Sequence, residues 1–179
     1  MRPFLSIVMA CSAISGSAAA QTNAPQGEAP EIIRGLCQKD GCAEFAILAK
    51  DSIAKVADGE LFRTRIAAYH ANSQGRASQG EQNGFVFCST TRPAVISAPN
   101  GGAAVAFMLA PDEQSPSWAL RSTANFATIY FGVCHGPAAG RAAATDRAHV
   151  GKSLGYRVPL AKSQTVNLNR PDDILQQTR

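Results

Sequence analysis

After its first twenty residues, the chain has no apolar run long enough to cross a lipid bilayer. A membrane helix needs about 20 consecutive apolar residues, and the longest later run, residues 101–110, falls well short of that length. Charge is also scarce: charged residues make up 17% of the chain, against about 25% in an average soluble domain. With 45% apolar residues, residues 21–179 are expected to form a soluble domain with a buried core.

The common catalytic and cofactor motifs are missing or incomplete. The G-x-S-x-G motif of serine hydrolases does not occur. Residues 150–153 match only the end of a phosphate-binding loop, because Asp146 stands where that loop needs a glycine. Residues 131–135 hold only the final Cys-His of the haem attachment motif. We therefore predict no catalytic, cofactor-binding or metal-binding residues and no cofactor.

The first twenty residues have the three parts of a secretory signal peptide. Arg2 supplies the positive start, an apolar stretch covers residues 4–14, and small residues lead up to Ala20. We predict cleavage between Ala20 and Gln21, which places the mature protein in the bacterial periplasm or outside the cell. Little ATP is present there, so nucleotide-driven chemistry is not expected.

Cys11 allows a second interpretation of the same segment. Together with residues 8–10 it resembles a lipoprotein cleavage site, after which Cys11 would carry a lipid anchor. The methionine in that site is unusual, so simple cleavage after Ala20 is preferred. Residues 21–30 are polar and contain two prolines, which predicts a flexible leader. A single globular domain is expected over residues 31–179.

Four cysteines remain after the predicted cleavage: Cys37, Cys42, Cys88 and Cys134. An even number of cysteines in an oxidising compartment favours disulfides. We favour a local Cys37–Cys42 bond around a glycine-containing turn and a long-range Cys88–Cys134 bond, which stabilises the fold by about 4 kcal/mol through the entropy of the unfolded chain. The alternative is a zinc site, which usually shows cysteine or histidine pairs at fixed spacing.

The apolar pattern predicts short strands, hairpins and a few helices. The predicted helical segments are 43–56, 140–154 with Gly155 as its cap, a last turn from Pro171 and, with a strand as the alternative, 125–134. The predicted strands are 61–71, 84–90, 94–98, 102–109, 156–160 and 165–168. A polar loop is expected at 72–83 and a hairpin turn at 99–102. This mixture indicates an α+β fold, with a small antiparallel sheet and two or three helices held by disulfides.

Basic residues concentrate in the C-terminal third of the chain. Residues 121–179 carry eight basic and three acidic side chains, whereas residues 21–60 carry four and seven. Such a region suits an anionic ligand or surface. The alternative is that Arg141, Arg147 and Lys152 form the solvated face of one helix. Nucleic-acid binding is not expected, because arginines do not alternate with exposed aromatic residues.

Three residues are candidate contacts with a ligand or partner. Arg92 follows an aromatic strand in a polar turn, where an arginine either binds an anionic group or satisfies the end of the strand. Tyr156 and Arg157 lie in a predicted strand that contains Pro159, and a proline indicates an edge strand. Sheet edges recruit strands of other proteins. This segment is therefore a hypothesis for protein–protein contact.

These observations predict an exported soluble protein of the bacterial cell envelope. We expect a non-catalytic binding or accessory role, with an envelope protein or an anionic ligand as the partner and no membrane span. The alternative is a hydrolase that acts on an envelope polymer. A deep cleft that brings His70, His135 or His149 together with a carboxylate would favour the hydrolase.

Overall fold

The computed structural model describes residues 29–99, 103–113 and 117–176, the side chains of residues 117–122 excepted. The predicted signal peptide with its cleavage site at Ala20 and Gln21, the alternative anchor Cys11 and residues 100–102 of the predicted turn lie outside the described residues. Within the described ranges, no helix is long and apolar enough to cross a membrane.

In the described part of the chain, seven antiparallel strands form one sheet, in which each strand pairs with its neighbours in sequence. The strands are β1 (Ile32–Gln38), β2 (Gly41–Val56), β3 (Gly59–Asn72), β4 (Gly75–Cys88), β5 (Ala94–Ser97), β6 (Ala104–Met108) and β7 (Gln164–Leu168). Helices α1 (Ser117–His135) and α2 (Pro137–Ser153) connect β6 to β7, and a 3-10 helix covers Pro171–Leu175. The predicted α+β class is confirmed, although the sheet is larger than predicted.

Strand β2 shows that the helix predicted at 43–56 is wrong. The ladder with β3 skips Leu48, between Ile47 and Ala49, and skips Ile53 in the same way. Each skipped residue is a β-bulge, which adds one residue to one strand and bends it. Two bulges move the apolar residues away from a period of two, so the sequence imitates helical spacing.

Strand β4 also runs through the segment 72–83, which was predicted as a loop. Residues 75–83 are exposed along both faces, yet their backbone pairs with β3. Gln79 is an extra residue in this ladder, and Gly80 beside it has a φ of 93°, which glycine adopts without steric cost. Backbone pairing holds this segment in place of side-chain burial, so its polar sequence carries no strand pattern.

The two helices agree with the predictions at 125–134 and 140–154, where α1 resolves the choice between helix and strand. The strand predicted at 156–160 is wrong, because Gly155, with a φ of 77°, turns the chain back onto the end of α2. The amide of Tyr156 donates to the carbonyl oxygen of Gly151 at 2.9 Å. Among the described strands, the edges of the sheet are therefore β1 and β7.

Apolar side chains pack on both faces of the sheet, because neighbouring residues of a strand point to opposite sides. On the face that carries the helices, the core includes Phe45, Ile66, Val86, Tyr130 and Phe131. The other core includes Leu61, Phe87, Ile96, Met108, Leu168 and Ile174. The second of these clusters anchors the C-terminal 3-10 helix through Ile174, which is fully buried.

Close packing of two glycines sets the position of α2 against α1. A Cβ atom on Gly140 would lie 2.8 Å from the carbonyl oxygen of Thr128 and 3.0 Å from the Cα atom of Gly132. Real Cβ atoms essentially never show the first distance, and the second is tighter than nine in ten real Cβ contacts. The helices therefore meet through their backbones at this point.

Two disulfides are present, with the pairing favoured from the sequence. Cys37–Cys42 joins adjacent positions of β1 and β2, and Cys88–Cys134 joins the end of β4 to the end of α1. The second bond fixes the C-terminal end of α1 next to the sheet. The segment that follows Gly155 packs against this end of α1.

Candidate functional site

Helix α2 is interrupted at Asp146, whose backbone is not helical (φ −145°, ψ 80°). The Oδ1 atom of Asp146 accepts a hydrogen bond of 2.9 Å from the backbone N–H of His149, three residues further on. This is how an aspartate caps the start of a helix. Asp146 therefore begins a second helical segment, and the break turns the side chains of residues 147–153 relative to those of the first segment.

The break places Arg147 inside the protein. Its side chain is 9% exposed, one guanidinium nitrogen donates to Oγ1 of Thr123, and Nη2 lies 3.3 Å from Oε2 of Glu113, which is 6% exposed. The same Glu113 oxygen accepts a hydrogen bond from the amide of Ser163 at 2.8 Å. Within the described residues, no acceptor forms a hydrogen bond with Nη2 of Arg147.

Burial lowers the pKa of Arg147, and the Coulombic attraction of Glu113 partly offsets this effect. An arginine nevertheless stays protonated in proteins, so Arg147 and Glu113 form a buried ion pair. The pair joins the loop after β6 to the second segment of α2. The alternative in which Arg147 lies on a solvated helix face with Arg141 and Lys152 is therefore wrong, since only Arg141 and Lys152 are exposed.

Two cavities adjoin at this break. The Arg147 cavity, of about 360 Å³, is lined by Leu36, Pro111, Glu113, Ala124 and residues 143–148. The Tyr156 cavity, of about 540 Å³, is lined by Pro111, Asp112, Asp146, Ala148, His149, Gly151, Lys152 and residues 155–158. We call the two together the α2 cleft, because Pro111, Asp146 and Ala148 line both.

The Tyr156 cavity has the size of a small-molecule site. Its volume lies within the range of about 300–1,000 Å³ that is common for such sites. Lys152 and Arg157 contribute positive charge to its lining, while Asp112 and Asp146 contribute negative charge. These four side chains belong to exposed residues. The cavity therefore presents charges of both signs around an aromatic ring, that of Tyr156.

A chain of hydrogen bonds holds Tyr156 in place. Its hydroxyl donates to the hydroxyl of Tyr130 at 2.9 Å, and the Tyr130 hydroxyl donates to the carbonyl oxygen of Ser89 at 2.9 Å. Nε2 of His135 lies 2.7 Å from the Tyr156 hydroxyl. Because each hydroxyl has one hydrogen and both are already donated, Nε2 of His135 must be the donor in the last contact.

The protonation states of the three side chains agree with these donor and acceptor roles. Burial raises the pKa of Tyr156 to about 12 and the pKa of Tyr130 well above its ordinary value. Burial, and secondarily the charge of Lys50, lowers the pKa of His135. At neutral pH both tyrosines are protonated and His135 is neutral. The three hydrogen-bonded side chains are therefore uncharged, and they fix one wall of the α2 cleft to the core.

Tyr156 and Arg157, two of the three predicted contact residues, come together in the α2 cleft. The amide of Arg157 donates to the carbonyl oxygen of Thr90 at 2.9 Å, which fixes its backbone. Whether these two residues contact a ligand or partner stays a prediction. Their presence in one cavity follows from the turn after α2 and not from the predicted edge strand.

Arg92 lies in a different part of the molecule. Its Nε atom is 2.8 Å from Oδ2 of Asp58, its Nη1 atom donates to the carbonyl oxygen of Ile174 at 3.0 Å, and its guanidinium lies over the ring of Phe87. Arg92 thus connects the β2–β3 turn to the C-terminal 3-10 helix. The structure does not bring Arg92 together with Tyr156 in one cavity among those described.

Sequence reasoning missed Asp146, Glu113 and the buried position of Arg147. One available indication was Asp146 itself, because an aspartate in an alanine-rich helix is favoured at a cap and disfavoured in the interior. The contact between Glu113 and Arg147 had no local indication, since 34 positions separate the two residues in the sequence. Only the tertiary packing of the β6–α1 loop against α2 brings them together.

Two other features of the surface are less suited to a charged small molecule. An apolar groove of about 280 Å³ lies between α1 and strands β3–β5, with Ile66, Val95 and Phe126 in its lining. On the sheet, the buried carboxylate of Glu44 is held by Arg34 and Arg76. The groove is lined by no charged residue, and the arginines already share one carboxylate. The α2 cleft combines a cavity with several exposed charges.

Comparison of the chain with protein-family models, with curated proteins and with solved structures gives no match.

Proposed function

We propose that this chain is an exported binding or accessory protein of the bacterial cell envelope, and that the α2 cleft binds a small ligand with an anionic group. The observation that carries the proposal is the placement of Lys152 and Arg157 in the lining of one 540 Å³ cavity. Hydrogen bonds from a charged donor to an anion contribute about 1.5–3 kcal/mol each. Two such donors in one cavity support the binding of an anionic group.

The wall that carries these charges is fixed before any ligand binds. Tyr156 is held through Tyr130 and His135, and the backbone of Arg157 is bonded to Thr90. A preformed site loses less conformational entropy when a ligand is bound. This favours a binding role for the cleft.

The proposed location rests on the signal-like N-terminal sequence and on the disulfides. Bonds between Cys37 and Cys42 and between Cys88 and Cys134 are typical of proteins in oxidising compartments. A fold with two disulfides agrees with a periplasmic or secreted protein. The partner is then a molecule of the envelope or of the medium.

Binding is tested by calorimetric titration of the protein with succinate and with inorganic phosphate. Lys152→Gln combined with Arg157→Gln should weaken binding by about a hundredfold, since each of the two lost charged hydrogen bonds exceeds about 1.4 kcal/mol. The matched control combines Lys39→Gln with Arg63→Gln, two exposed cations that do not line the cleft. If neither anion binds, or if both double variants lose binding equally, the proposal is wrong.

A second candidate is a hydrolase acting on an envelope polymer, and one observation favours it. His149 lines the Tyr156 cavity together with Asp112 and Asp146, and a histidine beside carboxylates is a common general acid–base arrangement. Incubation with purified peptidoglycan tests this candidate. Release of soluble fragments that His149→Gln abolishes would establish the hydrolase and contradict the non-catalytic role.

A further inference from the structure

Two of the four charged residues that line the Tyr156 cavity lie on α2 and have opposite signs. Asp146 lies at the start of the second helical segment and Lys152 lies near its end. A helix rises about 1.5 Å per residue, so six residues separate these positions by about 9 Å along the axis. Arg157, two residues after the turn at Gly155, adds a second positive charge to the lining.

The carboxylate of Asp146, at the negative end, can accept further hydrogen bonds from a ligand. Oδ1 of Asp146 accepts one hydrogen bond, from the backbone of His149. An ionised carboxylate offers about four acceptor sites in total. Asp146 is also exposed, so its carboxylate is accessible to a cationic group while it caps the helix.

We propose that the α2 cleft binds a short peptide with both termini free, its ammonium group at Asp146 and its carboxylate at Lys152 and Arg157. This inference rests on the proposed function and specifies the ligand class for the same site. An extended chain spans about 3.3–3.6 Å per residue, so a peptide of two or three residues covers the separation of about 9 Å. Pro111, Tyr156 and Val158 also line the cavity and suit peptide side chains.

Asp146→Asn removes the negative charge and leaves the helix cap, because asparagine caps helices about as well as aspartate. This variant is therefore expected to fold. Lys152→Gln combined with Arg157→Gln removes the positive end from exposed positions. The two changes separate recognition of the ammonium group from recognition of the carboxylate.

The experiment compares retention of three randomised tripeptide pools on immobilised protein, read by mass spectrometry: free at both ends, N-acetylated, and C-terminally amidated. Acetylation removes one charged contact and should reduce retention by about tenfold, while amidation removes the contacts with Lys152 and Arg157 and should reduce it at least as much. In Asp146→Asn the difference between free and acetylated pools should disappear, while the difference between free and amidated pools persists. The Lys152→Gln/Arg157→Gln protein should show the opposite pattern.

Four other results overturn the inference. If the blocked pools are retained as well as the free pool, or if Asp146→Asn keeps the discrimination against acetylated peptides, the assigned ends are wrong. If no pool is retained but succinate or phosphate still binds and the Lys152→Gln/Arg157→Gln protein loses that binding, the peptide inference fails and the proposed function stands. If neither peptides nor these anions bind, both fail.

Discussion

The hydroxyl of Tyr156 lies 2.9 Å from the hydroxyl of Tyr130 and donates a hydrogen bond to it. Tyr130 is completely buried and belongs to the core between α1 and the sheet, whereas Tyr156 lines the α2 cleft. This contact joins the cleft to the buried core. Substitutions along the chain of hydrogen bonds are therefore expected to affect both stability and the shape of the cleft.

Tyr156→Phe removes the central hydroxyl of this chain. We expect the free energy of unfolding to fall by about 1–2 kcal/mol, because the fully buried hydroxyl of Tyr130 loses its donor and the exposed His135 loses its acceptor. Urea unfolding followed by circular dichroism measures the change. Tyr69→Phe on β3 is the matched control and should change stability by less than about 0.5 kcal/mol. Equal effects of the two substitutions would show that the chain contributes nothing specific.

The lowered pKa of His135 predicts a loss of stability in acid. The unfolded chain binds a proton near pH 6.5, while the folded protein resists protonation of His135 until a lower pH. Stability is therefore fully present above pH 6.5 and is lost as the pH falls from 6.5 through the pKa of the folded state. Urea unfolding at several pH values between 5 and 8 measures how steeply the free energy of unfolding changes with pH.

His135→Gln should reduce that slope. His149→Gln, a substitution of an exposed histidine on α2, is the control and should keep it. A slope that is the same in the wild type and in His135→Gln would mean that another group is responsible for the acid sensitivity.

Some elements of the fold could be predicted from the sequence and others could not. The disulfide pairing followed from four cysteines and their spacing, and α2 followed from its alanine-rich sequence and Gly155. Strand β2 did not follow, because the bulges at Leu48 and Ile53 obscure its alternation. The polar half of β4 could not be predicted for a different reason. Backbone pairing with β3 stabilises it, and backbone pairing requires no particular pattern of side chains.

The site was less predictable than the fold. Tyr156 and Arg157 were proposed as contacts on the basis of a strand that does not exist, and the turn after α2 is what places them in one cavity. The helix cap at Asp146 reverses the environment expected for Arg147, from solvent to interior. The helix cap can be predicted from local residue preferences, whereas the partner of Arg147 depends on the whole fold.

The buried pair of Glu113 and Arg147 gives a prediction about stability. Glu113→Gln leaves a buried guanidinium without its counter-ion and should destabilise the protein by about 3–5 kcal/mol. Combining Glu113→Gln with Arg147→Met should recover part of that loss, because no buried charge then remains. Urea unfolding of both single variants and of the double variant gives a double-mutant cycle, which measures the coupling between the two side chains. Additive losses in the double variant would show that the two side chains are not coupled.

The two disulfides should differ in their contribution to stability. Cys88–Cys134 closes a loop of 46 residues and Cys37–Cys42 closes one of 5. In terms of the entropy of the unfolded chain, these lengths correspond to about 4 and about 2 kcal/mol. Replacing each pair by alanine and comparing urea unfolding measures both values. A larger loss on removing Cys37–Cys42 would contradict this ordering.

The most direct test of a ligand site in the α2 cleft is chemical-shift mapping of ¹⁵N-labelled protein during titration with succinate. We predict saturable shifts concentrated at residues 146–158 and at Asp112, with little change at the groove near Phe126 or at Arg34 and Arg76. The Lys152→Gln/Arg157→Gln protein should lose these shifts. Shifts that concentrate outside the cleft, or that persist unchanged in this variant, would contradict the assignment of the cleft as the binding site.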